Sequence, residues 1–277
     1  MPKQKGPEYI LEPNPDGPSI SKDEIRKLEK NDSLEFHQEK RVWWVKQKQD
    51  NVEFAGMLEA TDESLGRIRA KLDELDLADN TIVIFTADNG GMSASNQYRG
   101  INHSRKQLDS RFASSNLPLR GAKGWNYEGG IRVPLVVYWP GNIKANSTSH
   151  ALVTGTDYYP TLLGMLGLPL LPNQHVDGKS FVPALKGKDH NRGAIYWHFP
   201  HYSNHGYQSP GGAIRLGDYK LLEYFENGTV QLFDLKKDIG EQNDISESKP
   251  EITKKLLKML KDWRREVDAK MPVAKTG

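Results

Sequence analysis

Apolar residues along this chain fall into three patterns, and each predicts a different element. Between Val52 and Leu75, the residues Phe54, Leu58, Leu65, Ile68, Leu72 and Leu75 recur at spacings of three, four or seven, with Thr61 filling the one gap. That period predicts an amphipathic helix. Ile82-Val83-Ile84-Phe85 is instead a continuous apolar run, the mark of a strand buried on both faces, and it stops abruptly in Asp88-Asn89-Gly90-Gly91. Leu135 to Trp139 predicts another strand, closed by Pro140-Gly141. Helix, short loop and buried strand is the repeating unit of an α/β domain. Beyond His190 the pattern changes to short β runs: Ala194 to Phe199, Gly212 to Leu216, Lys220 to Tyr224, and Thr229 to Asp234. Gly217-Asp218 and Asn227-Gly228 supply the turns between them. Ile252, Leu256, Leu260, Trp263 and Val267 then mark one face of a closing helix, so this half predicts a small antiparallel sheet with a helix packed across it.

These patterns divide the chain into an irregular and helical lead-in (1–50), an α/β portion (51–190) and a small antiparallel β subdomain with a C-terminal helix (191–277). In the lead-in, the first 19 residues read as irregular. Ser21 is an N-cap with Glu24 completing a capping box, before a charged helical stretch to about Lys48 that carries Trp43 and Trp44. Thr156 or Asp157 caps a short helix over Tyr158 to Leu166, ended by Gly167, and Asp157 reads as that cap rather than as a metal ligand.

Composition narrows the chemistry. Of 277 residues 36% are hydrophobic, mean hydropathy is −0.68, and 25 Gly with 16 Pro predict a polar, loop-rich surface. The net charge of +2 gives no footprint for nucleic acid. No apolar run reaches the ~20 residues that span a bilayer. The segment Met1 to Pro7 has no apolar signal region. With no cysteine there is no disulfide, thiolate zinc site or cysteine nucleophile in this sequence.

The candidate chemistry lies after the first buried strand. Ligands in open α/β sheets gather beyond the carboxyl ends of strands. Asp88 and Asn89 therefore stand where oxygen donors would serve a hard cation, although these residues by themselves read first as a turn, Asn-Gly being a strong hairpin signal. The long polar stretch from Met92 to Leu117 leaves from the same edge, and loops of that length are uncommon unless functional or disordered. The Gly-rich segment Arg120-Gly121-Ala122-Lys123-Gly124 follows, then Glu128-Gly129-Gly130-Ile131-Arg132-Val133-Pro134. Glycines here let the backbone and one lysine approach a ligand closely.

In this order, Asp88-Asn89-Gly90, the loop around Lys123 and the Glu128 to Pro134 segment resemble the sulfatase family of the alkaline phosphatase superfamily. Met57 to Gly91, Thr156 to Gly187, Gly217-Asp218-Tyr219-Lys220 and Leu232-Phe233-Asp234-Leu235 are similar too, so the resemblance covers most of residues 50–265. It implies an alkaline-phosphatase-like α/β fold, here partial, with a mixed sheet, flanking helices and the small C-terminal antiparallel sheet. It also implies hydrolysis of sulfate esters on a sulfated carbohydrate or aryl sulfate, with Asp88 and Asn89 as calcium ligands and Lys123 against the sulfate. Glu128 and Arg132 would pair or cap within their turn. Such enzymes are commonly exported, which suggests a periplasmic or secreted setting.

The sequence departs sharply from the family pattern. The nucleophile is a formylglycine made from Cys or Ser in Cys/Ser-x-Pro-x-Arg, and that motif is absent, as is the upstream Asp pair of the calcium site. Ser115-Asn116-Leu117-Pro118-Leu119-Arg120 has one residue too many before the proline and lies after the metal motif rather than before it. The expectation is thus the C-terminal portion of a sulfatase, truncated or split from an N-terminal half that would be its partner, and inactive alone. A phosphate or phosphonate ester hydrolase of the same superfamily and a non-catalytic glycan-binding remnant are the alternatives. His198-Phe199-Pro200-His201-Tyr202-Ser203-Asn204-His205-Gly206-Tyr207 combines histidines with aromatics and reads as a sugar-contacting loop. His198, His201 and Arg215 are the residues expected to contact substrate.

Overall fold

The computed structural model describes residues 9–13, 21–30, 42–93, 114–202 and 208–273. Two strands stand where the sequence reads as irregular or helical. β1 (Tyr9–Pro13) pairs antiparallel with β2 (Val42–Lys46), Tyr9 opposite Lys46 and Pro13 opposite Val42. The predicted helix to Lys48 is corrected by this pair: α1 ends early, at Lys22–Lys30. Strand propensity depends on cross-strand partners, and the partner of Val42 to Lys46 lies too far away in sequence for local pattern to reveal it. The capping box is present, with Glu24 N–H donating to Ser21 Oγ at 3.2 Å and Ser21 N–H donating to Glu24 Oε2 at 3.1 Å.

α2 (Val52–Glu74) forms over the periodic stretch, with Asn51 Oδ1 accepting from the Phe54 N–H at 2.9 Å as its N-cap. It has no buried residue. β3 (Val83–Thr86) pairs antiparallel with β4 (Leu135–Tyr138) in a two-stranded sheet. The expectation of a strand buried on both faces is corrected here: Val83 and Ile84 are half-buried, and Phe85 and Thr86 are exposed. A strand loses both faces to the core only when layers cover both. Phe85 is opposite Val136 and Val83 opposite Tyr138, so these four share one face, and on it Val136 is 61% exposed and Tyr138 45%.

α3 (Glu128–Ile131) is a single turn, and α4 (Tyr158–Met165) and α5 (Val182–Leu185) follow β4. The Asp157 carboxylate accepts from the Thr154 and Lys179 N–H groups and from Arg192 Nε at 2.9, 2.8 and 3.0 Å, so it is a buried cap and ion pair. β5 (Ile195–Phe199), β6 (Gly211–Leu216), β7 (Tyr219–Tyr224) and β8 (Val230–Asp234) form a four-stranded sheet in that order, and α6 (Pro250–Glu266) packs on β6 and β7. Gly217 and Gly228 adopt φ of +59° and +72° at the predicted turns.

The chain divides into two compact units, one of Met1–Asp62, Ala87–Pro134 and Tyr196–Gly277, the other of Glu63–Thr86 and Leu135–Ile195. The first is built on Trp125, Tyr127, Ala213, Leu222, Tyr224, Phe233 and Leu235, a buried cluster that seats the Gly-rich loop on the C-terminal sheet. In the second, Phe181 is buried beneath Tyr158, their rings 5.8 Å apart and edge to face. Among the described residues no helix is long and apolar enough to cross a membrane.

Candidate functional site

The polypeptide that leaves β3 is knitted to the Gly-rich loop by backbone. Gly90 N–H donates to the Gly130 carbonyl at 2.9 Å, and Lys123 N–H donates to the Gly91 carbonyl at 3.1 Å. No side chain fits between these strands of loop. A Cβ on Gly90 would lie 1.8 Å from the Gly129 oxygen, and one on Gly130 would lie 2.1 Å from the Trp125 oxygen. The glycines of Asp-Asn-Gly and Glu-Gly-Gly are therefore needed for mutual approach rather than for a turn angle.

Asn116 holds the centre of this weave. Its Nδ2 lies 2.8 Å from the Gly91 carbonyl, 3.0 Å from those of Gly121 and Gly129, and 3.3 Å from Ser93 Oγ. Ser93 Oγ in turn donates to the Gly121 carbonyl, and Lys46 N–H donates to the Ser93 carbonyl at 2.7 Å, which ties β2 to the same knot. Two amide hydrogens shared among four acceptors satisfy carbonyls that buried loop would otherwise leave unpaired. The sequence offered one signal for this, a small amide just before Leu117-Pro118.

Below the loop lies a buried charge cluster. Lys220 Nζ is 3.0 Å from Glu128 Oε1 and 2.9 Å from Glu241 Oε1, and Arg215 Nη1 is 3.1 Å from Glu128 Oε2. Glu241 also accepts the Glu128 N–H at 2.7 Å, and its carbonyl accepts from Arg120 Nη1 at 3.0 Å. Burial alone would raise the Glu128 carboxyl, but Lys220 and Arg215 outweigh it and hold the group below the usual range. Burial raises Glu241 against the pull of Lys220, with the Glu128 charge adding to the rise. Tyr127, buried beneath Arg120 and donating to Gln231 Oε1 at 2.6 Å, is pushed up to about 12 by that burial.

The predicted site residues divide accordingly. Asp88 is exposed at the end of β3 and Lys123 is half-buried in the loop; among the described residues neither side chain has a hydrogen bond or ion pair. Asn89 donates its Nδ2 to the Gly90 carbonyl at 2.9 Å, which leaves its Oδ1 available as an acceptor. Arg215 is turned onto Glu128, and its Nε donates to the Gly217 carbonyl at 3.3 Å. Glu128 and Arg132 do pair, at 3.7 Å, but the closer partners of Glu128 are Lys220 and Arg215. His198 donates Nε2 to the Lys270 carbonyl at 2.8 Å and lies against Phe225, while the His201 ring is 4.1 Å from that of Phe199. Residues 203–207 of that histidine segment, and 94–113 of the long polar loop, lie outside the described residues. No described hydrogen bond or ion pair joins either histidine to Asp88, Asn89 or Lys123.

For a calcium ion, the donors fit in kind but not in number. An exposed carboxylate and an amide oxygen with no other partner are the hard ligands calcium prefers, yet it takes 6–8 of them. Among the described residues no group of three His, Cys, Asp or Glu side chains could hold a metal.

Comparison with known proteins gives consistent matches. Residues 21–168 match the family model described as Sulfatase, and residues 122–266 match that described as N-sulphoglucosamine sulphohydrolase, C-terminal. A sulfatase of Formosa agariphila is 32% identical over 217 residues, 72% of this chain and 36% of that protein. Human arylsulfatase A is 30% identical over 243 residues, 78% of this chain and 44% of that protein. Among solved structures, Ps i-CgsB in complex with k-i-k-neocarrahexaose superposes with a TM-score of 0.63 at 28% identity, over 78% of this chain and 44% of that one. BT4656 in complex with its substrate D-glucosamine-2-N,6-O-disulfate gives 0.61 at 26%, over 79% and 41%. The chain thus spans less than half the length of the relatives it matches, and its alkaline-phosphatase-like α/β class is that of these neighbours.

Proposed function

The chain belongs to the sulfatase family, and from that premise we propose that it supplies the cation-and-lysine side of a site that hydrolyses sulfate esters. The observation that carries this reading is the 3.1 Å hydrogen bond from Lys123 N–H to the Gly91 carbonyl, which fixes the lysine loop beside the Asp88-Asn89 turn. Asp88 Oδ and Asn89 Oδ1 would hold part of a calcium shell. When bound, that ion would draw charge from a sulfate oxygen. Lys123 would set its ammonium against the same anion in the ground state and as negative charge develops on the leaving oxygen. The buried Glu128, Lys220 and Glu241 cluster positions the loop, and Arg215 acts through Glu128 as part of it.

The nucleophile and the remaining ligands come from outside these 277 residues, in our reading from the N-terminal half of the α/β domain. What supports this is the open face of β3 and β4. Phe85, Val136 and Tyr138 are exposed there, and covering such side chains contributes on the order of 1.5 kcal/mol or more apiece. The substrate class follows relatives that act on or bind sulfated sugars, so a sulfated carbohydrate is the first candidate and an aryl sulfate the second. A glycan-binding remnant is the competing reading, favoured by the absence of cysteine and of Cys/Ser-x-Pro-x-Arg.

The test begins with the DNA upstream of the Met1 codon, read in all frames for that motif. The encoded segment is then co-expressed with this chain. Alone, the chain should not turn over 4-nitrophenyl sulfate. With the segment it should bind and turn over, and Val136→Glu should weaken the complex at least ten-fold. In an intact complex Asp88→Ala and Lys123→Ala should each reduce kcat by ~10²-fold or more. Turnover by the chain alone, or an intact complex indifferent to both substitutions, would remove the assignment.

A further inference from the structure

Three segments of the first unit meet at one side chain, and what they offer it is oxygen. Around Asn116 Nδ2 stand the Gly91, Gly121 and Gly129 carbonyls. Ser93 Oγ is the fourth neighbour, and its own hydrogen is committed to the Gly121 carbonyl. Only a donor fits such a ring of acceptors, so the amide nitrogen faces it and the amide oxygen faces away. The other end of the amide is fitted as closely. A Cβ on Gly91 would lie 2.5 Å from Asn116 Oδ1, so glycine there makes room for it. Asn116 is itself held: its carbonyl accepts from the Leu119 N–H at 2.9 Å, and the preceding Ser115 carbonyl accepts from Gln49 Nε2 at 3.0 Å.

Each carbonyl of the ring belongs to a segment with a part in the site. Gly91 closely follows Asp88 and Asn89, and its carbonyl also accepts the Lys123 N–H. Gly121 lies just before Lys123 in the lysine loop. Gly129 lies in the turn whose Gly130 carbonyl receives the Gly90 N–H. An amide has two hydrogens, and here both are turned onto backbone. Asn116 therefore has no donor left for a ligand and acts on the site only through these segments.

We propose that Asn116 is a positioning residue: its side-chain amide sets the spacing between the Asp88-Asn89 turn and the Lys123 loop. This assignment rests on reading Asp88, Asn89 and Lys123 as partners of one anion, and it adds the residue that fixes their distance. A misplacement of ~1 Å at a reacting centre costs on the order of 10²-fold in rate, so the site feels a slack loop before the fold does. The substitution Asn116→Asp keeps the shape and reverses the chemistry. Ionised, the new carboxylate would face four oxygens and push the segments apart. Protonated, its O–H would donate to one of the same carbonyls. Neighbouring carbonyl oxygens favour the neutral acid and raise its pKa, so the lost spacing should return as pH falls.

The test compares the full-length parent chain, N116D and N116A by amide hydrogen exchange at about pH 8 and about pH 5, each rate expressed as protection over the unstructured amide. At pH 8, N116D should lower the protection of the Lys123 and Gly90 amides by at least about ten-fold, and at pH 5 it should return to within about three-fold of the parent. N116A, which cannot donate at either pH, should show the loss at both. The amides of Leu221 and Leu222, on the central strand β7, should keep their protection throughout. Unchanged Lys123 and Gly90 amides, no recovery of N116D at pH 5, or a loss shared equally by Leu221 and Leu222 would each overturn the role. In a complex that turns over, N116D should likewise show a kcat deficit that shrinks toward pH 5, and a deficit equal at both pH values would count against it. Protection is read on the chain alone, so a failure of the sulfate-ester reading, seen as no turnover in any complex, is distinguishable from a failure at Asn116.

Discussion

The two compact units differ in how they treat the apolar residues of their own elements. In the first, Ala213, Ile214, Leu221, Leu232 and Leu260 are wholly buried, and even Lys220 and Glu241 are enclosed with their charges matched. In the second, Ile68, Leu75, Val136, Tyr138 and Leu166 are exposed around a small interior of Met165, Phe181, Ala184 and Ile195. Periodicity and turn chemistry made the elements in both. The first closes a core between its C-terminal sheet, α6 and the Gly-rich loop, whereas α2, which runs from the first unit into the second, buries no residue in either. A helix with no buried residue and a two-stranded sheet with an open apolar face show that secondary structure can be specified fully by a sequence that does not complete a core.

The comparison breaks most sharply at Lys220. Lys220→Met should destabilise the first unit by about 3–5 kcal/mol in urea unfolding, because Glu128 and Glu241 would be left buried without their cation. A loss below 1 kcal/mol would mean the cluster is solvated and the unit is not closed. Next comes a matched pair of truncations. Leu260→Ala should cost about 2–5 kcal/mol, whereas Ile68→Ala on α2 should stay within about 0.5 kcal/mol. Equal costs would show that the second unit has a core after all.

The smallest effect is a pH dependence. Glu128 is held below its ordinary value of 4.5, so its contribution is fully present above that pH and is lost as pH falls through the folded value. Glu241 is raised, so its effect has the opposite sign and falls in the window above 4.5, where the folded carboxyl still keeps its proton. Urea midpoints followed between pH 3 and 5 should therefore decline in the parent chain. Glu128→Gln should flatten that decline by up to about 1.4 kcal/mol per pH unit, on top of a general loss. An acid limb unchanged by Glu128→Gln would place the acid sensitivity elsewhere.

Much was legible without coordinates. The period of Phe54, Leu58, Leu65 and Ile68 gave α2, and Gly217 and Gly228 marked two of the C-terminal turns. Asp88-Asn89-Gly90 and Glu128-Gly129-Gly130 were visible as motifs because they are short and contiguous. β1 and β2 were not legible, since their pairing joins segments far apart in a charged and proline-rich stretch. Asn116 is not legible, because its importance lies in four acceptors drawn from three separate segments. Arg215, expected at a substrate, is engaged by a buried glutamate 87 residues away in sequence.

The sequence by itself determined α2, the strands and turns of the C-terminal half, and the family, because hydrophobic period, turn residues and contiguous motifs are properties of neighbours along the chain. Tertiary structure alone decided which charges are matched, which glycines are sterically required and which apolar face stays open. Those depend on groups brought within a few ångströms by folding, and no local pattern encodes that distance.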